Sequence, residues 1–129
     1  MFNVIVVDTD ILIDTARGVE KALDCIKRFE QQSVLSISII TKMELVVGCR
    51  NKKELKNLEN FFKRFKVINL NEDISKIADK LLFQYRLSHG LLIPDALIAA
   101  TVIKWDYKLI SKNQKDYRFI DDLTLLSYN

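Results

Sequence analysis

The chain has 129 residues, with 20 Lys and Arg against 17 Asp and Glu, one His, two Cys, one Pro and three Gly. That length suits one domain over residues 1–129 with a sizeable core, and so little Gly and Pro excludes a collagen-like or linker-dominated chain and argues against disorder. A net charge of +3 does not by itself establish a nucleic-acid partner, and two cysteines without paired spacing supply neither a disulfide framework nor a zinc site.

Cys25 and Cys49 fall in helical segments and read as small buried apolar residues, which suits a reducing compartment. The amino end lacks a basic region before Asp8, which argues against a secretory leader. The longest apolar stretch, Leu91 to Ile103, is interrupted by Pro94, Asp95 and Thr101 and falls short of the ~20 residues that span a bilayer. The expectation is a cytoplasmic protein without a membrane partner.

Val4 to Val7 is an unbroken β-branched run, the pattern of a strand buried on both faces in a parallel sheet. Asp8-Thr9-Asp10 ends it, and a short helix follows from Ile11 and closes at Gly18. Residues 19–31 repeat Val19, Leu23, Ile26 and Phe29 near a helical period. Ser33 to Ser38 reads as a second strand, followed by helix to Gly48. Residues 51–65 form another helix, and Val67 to Leu70 a short strand. Residues 72–88 carry the i, i+3, i+4 series through Ile74, Ile77, Ala78, Leu81, Leu82 and Tyr85. Pro94 opens an apolar helix reaching about Trp105. Lys108 to Ser111 and Leu123 to Leu126 complete the strands. Short buried strands alternating with amphipathic helices predict an α/β domain with a mainly parallel sheet. Ligands of such sheets bind beyond the carboxyl ends of the strands, where Asp8 and the Ser111–Asp116 stretch meet.

Four acidic positions stand out. Asp8 ends the first strand, where a carboxylate is costly unless paired, hydrogen-bonded, bound to a cation or used as a helix cap. Glu44 interrupts the apolar sequence around Ile40, Met43, Leu45 and Val46. It either completes a capping box from Thr41 or, if the helix begins near Ser38, lies a turn further in and faces a site. Asp95 follows Pro94 in the first turn of a nearly all-apolar helix. Pro94 fits that turn, and the helix dipole favours the acid. Asp116 sits in a polar loop, where Ser111 and Asn113 offer neutral oxygens. Three or four carboxylates at one edge repel one another, and a hard cation held by oxygen ligands, Mg²⁺ or Mn²⁺, resolves that repulsion. A carboxylate-rich site poor in His and Cys suits phosphodiester chemistry with a metal-activated water.

Val6-Val7-Asp8-Thr9-Asp10-Ile11-Leu12-Ile13, Ser38 to Gly48, Pro94 to Ala100, and Leu109 to Tyr117 together resemble the successive motifs of PIN domains. The closest resemblance is to the VapC toxins of bacterial and archaeal toxin–antitoxin pairs, and it spans essentially the whole chain. It implies a Rossmann-like α/β/α sandwich and a Mg²⁺- or Mn²⁺-dependent endoribonuclease, homodimeric and neutralised by a cognate antitoxin. By resemblance Asp8, Glu44 and Asp95 correspond to acidic metal-site residues. Many members carry an Asp where this chain has Asn113. Others have Asn there and an Asp three residues on, so the fourth role passes to Asp116 and the number of ions stays open. Thr9 and Ser111 would orient carboxylates or water through their hydroxyls.

Residues 50–66 carry a net +5, leaving −2 for the rest of the chain. Arg50, Lys52, Lys53 and Lys56 make either a solvated helix face or an RNA phosphate track. His89 precedes Gly90 at a helix end, where a cation suits the dipole. Trp105, Tyr107 and Tyr117 read as core or rim packing, with base stacking as the alternative. Two rival functions remain. One is a PIN fold that only binds RNA or protein. The other is a haloacid-dehalogenase-like phosphatase suggested by Asp8-Thr9-Asp10, although Leu12 stands where that chemistry usually wants Thr or Val.

Overall fold

The computed structural model describes residues 3–128. Five strands form one all-parallel sheet: β1 (Asn3–Val7), β2 (Ser33–Ser38), β3 (Lys66–Ile68), β4 (Lys108–Ile110) and β5 (Leu125–Leu126), in the order β3-β2-β1-β4-β5. The unbroken run of β1 is explained by its central place. Ile5, Val6 and Val7 are buried, with Val6 on one face and Ile5 and Val7 on the other.

Helices α1 (Thr9–Ala16), α2 (Glu20–Glu30) and α4 (Lys52–Phe62) cover the face that buries Ile11, Leu12, Ala22, Cys25, Ile26 and Phe62. The opposite face is covered by α5 (Glu72–His89) and α6 (Ile93–Lys104). Helix α3 (Ile39–Val47) lies at the edge and sends Ile40 to one core and Leu45 to the other. The α/β/α sandwich expected from sequence is the observed architecture. Among the described residues no helix is long and apolar enough to cross a membrane.

Local capping sets the element boundaries. The Asn51 side chain accepts from the Glu54 amide at 2.9 Å, and that of Asn71 from Ile74 at 2.8 Å, so each opens its helix. Helix α5 ends at Gly90, whose φ of 70° is a left-handed conformation that glycine adopts without Cβ strain. His89, at that end, stacks on Phe119 with ring centroids 4.2 Å apart.

Several boundaries differ from the sequence expectation. Helix α4 stops at Phe62 rather than residue 65, because Phe65 turns inward to pack edge-on against Phe61 and joins the core. The third and fourth strands end at Ile68 and Ile110, and the fifth begins at Leu125; each is shortened to the residues its neighbours pair with. Cys25 is buried as expected, but Cys49 is only half-buried, since it follows the end of α3. Tyr117 is fully buried and Tyr107 packs against the core, whereas Trp105 remains half-exposed at the α6 carboxyl end.

Candidate active site

The strand order reverses direction about β1, so a crevice opens beyond its carboxyl end. The Asp8 amide donates to the Ile110 carbonyl at 3.0 Å, which carries the β1–β4 ladder one residue past both strands. This holds Asp8 against the Ser111–Tyr117 stretch. Asp8 is 6% exposed and also caps α1, its Oδ1 accepting from the Thr9 amide at 2.9 Å. The cap and the site residue suggested by the sequence are one and the same carboxylate. Ser111 Oγ donates to its Oδ2 at 2.8 Å, and the Tyr117 hydroxyl lies 3.1 Å from Oδ1.

The same Tyr117 hydroxyl lies 3.2 Å from Asp95 Oδ1. Asp8 and Asp95 therefore reach one hydroxyl, although they lie on different elements. Asp95 is in the first turn of α6, half-buried, and Pro94 beside it fills a position where no amide hydrogen is needed.

Glu44 is exposed and reaches the crevice from α3. The helix begins at Ile39 with Ser38 as its cap, its Oγ accepting from the Ile40 amide at 3.1 Å. The capping box from Thr41 does not form, because the helix starts three residues before it would. Glu44 Oε1 instead accepts from Thr9 Oγ1 at 2.8 Å, and Thr9 Oγ1 lies 2.9 Å from that of Thr41. The Thr9 hydroxyl thus ties the second acidic group to the residue next to the first. Asp116 is exposed in a 3₁₀ turn (Gln114–Asp116) and near enough to Asp95 to repel it.

The sequence reading missed Asp10. Its Oδ2 accepts from the Asn113 amide at 2.9 Å and lies 3.3 Å from Ser111 Oγ, while Oδ1 accepts from the Lys112 amide at 3.4 Å. Two backbone amides of the β4 loop cradle this carboxylate. Its sequence signal is the Asp-x-Asp spacing at a strand end, which stands in the first PIN-like motif and in the phosphatase alternative without a metal-site role of its own. Asn113 contributes here through its backbone amide and not through its side chain, so the polar side chain expected to act there makes none of these contacts. For Tyr117 the sequence suggests packing, with base stacking as the alternative. Its ring does pack, but its hydroxyl is the meeting point of two acids.

Electrostatics follow from this crowding. Burial first, then the Asp10 charge, raises Asp8 to about 7. Burial, then the Asp116, Glu44 and Asp10 charges, raises Asp95 to about 6. Asp10 is raised by burial against four compensating hydrogen bonds. Tyr117 is held neutral, pushed far up by burial and by the two acids. Among the described residues no Lys or Arg forms an ion pair with Asp8, Asp10, Glu44, Asp95 or Asp116; Lys112 pairs with Asp14 instead, at 2.8 Å. Acids concentrated this way without basic partners make a donor set for a hard cation. Among the described residues no three acidic, His or Cys side chains close into a ready-made ion cage.

The basic segment is partly self-neutralised. Arg50 holds Glu54 at 3.1 Å, and Arg64 holds Glu30 at 2.8 Å. Arg50, just before α4, is therefore engaged with Glu54 of its first turn, while Lys52, Lys53 and Lys56 form no ion pair among the described residues. A groove of about 850 Å³ runs from Glu44 between α1, α3 and α4, with Ile13, Leu45, Leu58 and Phe61 along it.

A PIN domain family model matches residues 5–122. Ribonuclease VapC19 of Mycobacterium tuberculosis is 34% identical over 119 residues, covering 91% of this chain and 94% of that protein. Ribonuclease VapC1 of Methanocaldococcus jannaschii is 32% identical over 127 residues, covering 97% and 87%. A toxin–antitoxin complex from Klebsiella pneumoniae contains a chain that superposes with a TM-score of 0.80 at 29% identity, covering 96% of this chain and 97% of that one. An acid-lined crevice at the reversal of a parallel sheet, on a chain this similar along its whole described length, has one reading: the chain belongs to the PIN domain family, as a member of the VapC type.

Proposed function

We propose that the chain is a metal-dependent endoribonuclease, the toxin of a toxin–antitoxin pair, acting in the cytoplasm as one PIN domain over residues 1–129. The observation that carries this reading is the convergence of Asp8 and Asp95 on the Tyr117 hydroxyl, with Asp10, Glu44 and Asp116 around them and, among the described residues, no ion-paired base. Asp8, Glu44, Asp95 and Asp116 are the groups assigned to hold Mg²⁺ or Mn²⁺. With such an ion bound, the chemistry supplied is activation of a water and neutralisation of charge developing on the scissile phosphate. The chain's own contribution is positional. Ser111 and the Thr9 amide fix Asp8, the Thr9 hydroxyl fixes Glu44, and the Lys112 and Asn113 amides fix Asp10. Lys52, Lys53 and Lys56 give the RNA backbone a basic approach.

An antitoxin segment docks in the groove that begins at Glu44, where Ile13, Leu23, Leu45, Leu58 and Phe61 lie beside Arg17. The protein pairs with a second copy through the carboxyl half of α5, where Phe83 and Leu87 are 85% and 100% exposed beside Leu92 and Ile93. Asp79 and Arg86 flank that surface seven residues apart, so antiparallel α5 helices crossing between them set each acid beside the other copy's base.

The test is incubation of the purified chain with mixed RNAs in Mg²⁺, Mn²⁺ or EDTA, beside Asp8→Asn and Asp95→Asn. Cation-dependent cleavage that both variants lose is the expected result. RNA binding without cleavage would favour the binding module, and phosphate release from small esters the phosphatase; either overturns the nuclease reading.

A further inference from the structure

We infer that the Tyr117 hydroxyl is a positioning residue that sets the site's choice of cation, keeping Asp8 a one-oxygen ligand and so favouring Mg²⁺ and Mn²⁺ over Ca²⁺. The inference rests on the proposed cation site and adds to it a selectivity device.

An ionised carboxylate has about four lone-pair positions. In Asp8, Oδ1 faces the Thr9 amide and the Tyr117 hydroxyl, and Oδ2 accepts from Ser111 Oγ. One position on Oδ2 is left. The hydroxyl also stands between Asp8 Oδ1 and Asp95 Oδ1, at 3.1 and 3.2 Å. A single phenol proton serves two acids there. Whichever takes it, the phenol oxygen stays within 3.2 Å of both Oδ1 atoms and crowds a cation on that side of Asp8. A cation is then restricted to the remaining oxygens and must complete its shell with water.

That restriction separates ions by their coordination demands. Mg²⁺ takes six ligands in near-ideal octahedral geometry and keeps several waters. Ca²⁺ takes six to eight oxygens and readily accepts bidentate carboxylates. The hydroxyl is held in place because the Tyr117 ring is 1% exposed and packed in the α5–α6 core.

Tyr117→Phe keeps the ring and removes the oxygen. Wild type and variant, as full chains, are titrated calorimetrically with Mn²⁺, Mg²⁺ and Ca²⁺, and their melting is followed in EDTA. The expected result is a Ca²⁺ to Mn²⁺ affinity ratio that rises about tenfold in the variant, with Ca²⁺ a correspondingly stronger inhibitor of any Mn²⁺-supported cleavage. Ser111→Ala, which leaves Oδ1 covered by the Thr9 amide and the Tyr117 hydroxyl, keeps the ratio within twofold of wild type. A wild type that binds Ca²⁺ as tightly as Mn²⁺ overturns the inference even if the Phe variant does not fold, and a wild type that binds Mn²⁺ and cleaves RNA while the ratio in the folded Phe variant stays within twofold overturns the role of Tyr117 alone. A wild type that binds no divalent ion overturns the proposed site as well.

Discussion

Asp8→Asn should stabilise the cation-free protein at pH 8 while abolishing cleavage. Burial and the Asp10 charge raise Asp8 from 3.8 to about 7. A group raised in the folded state binds more protons there than in the unfolded chain, so stability falls as pH rises from about 4 to about 7 and is level outside that window. Roughly three pH units at 1.36 kcal/mol each set an upper bound of about 4 kcal/mol on the cost of the Asp8 charge above pH 7. Asn removes the charge and keeps the bonding. Its Oδ1 can still accept from the Thr9 amide and the Tyr117 hydroxyl, and its amide group can donate to Ser111 Oγ, whose own proton turns to Asp10. The expected gain is ~1–4 kcal/mol at pH 8 and close to nothing at pH 4, where Asp8 is already neutral in the fold. For a chain of this length that is roughly 3–5 °C per kcal/mol in Tm. Urea and thermal melts in EDTA at the two pH values measure it. Saturating Mn²⁺ should stabilise wild type at pH 8, by about 2.7 kcal/mol at 100 times Kd, and leave the variant nearly unmoved. A variant no more stable than wild type at pH 8, or equally stabilised at both pH values, refutes the argument from the buried charge.

Ser36 is fully buried on β2, and among the described residues its hydroxyl has no hydrogen-bond partner. Ser36→Ala should raise stability by about 1 kcal/mol, read as a higher urea midpoint at unchanged slope. Replacing Lys52, Lys53 and Lys56 together by Ala should weaken RNA binding and lower the slope of log affinity against log salt by about two, at ~0.7 per single-strand phosphate contact; an unchanged slope would place the RNA elsewhere. Leu87→Asp puts a charge into the exposed α5 face and should turn a dimer into monomer in sedimentation equilibrium, with the melting temperature of the monomer retained. A wild type that sediments as monomer would rule out that face as a self-interface.

Much of this protein could be read along the chain. The β-branched run at residues 4–7 has no polar residue to face water, so a strand covered on both sides follows from hydrophobicity alone, and the parallel sheet with it. Asp8 is visible because it ends a β-branched run, and Asp95 because it is a lone acid in apolar sequence. Glu44 was ambiguous for a definite reason: two helix starts three residues apart give it opposite roles, and the choice fell to Ser38 capping Ile40. Periodicity describes one element at a time and carries no information about what a loop brings to it. That is why periodicity places neither Asp10 nor the Tyr117 hydroxyl at the site. The amides of Lys112 and Asn113 that seat Asp10 lie over a hundred positions away, and so does the hydroxyl that joins Asp8 to Asp95. Local composition determined which side chains were available and which elements carried them. Only the β1–β4 register and the fold of the loop after β4 decided which oxygens meet, because contacts this distant depend on three-dimensional packing to within an ångström.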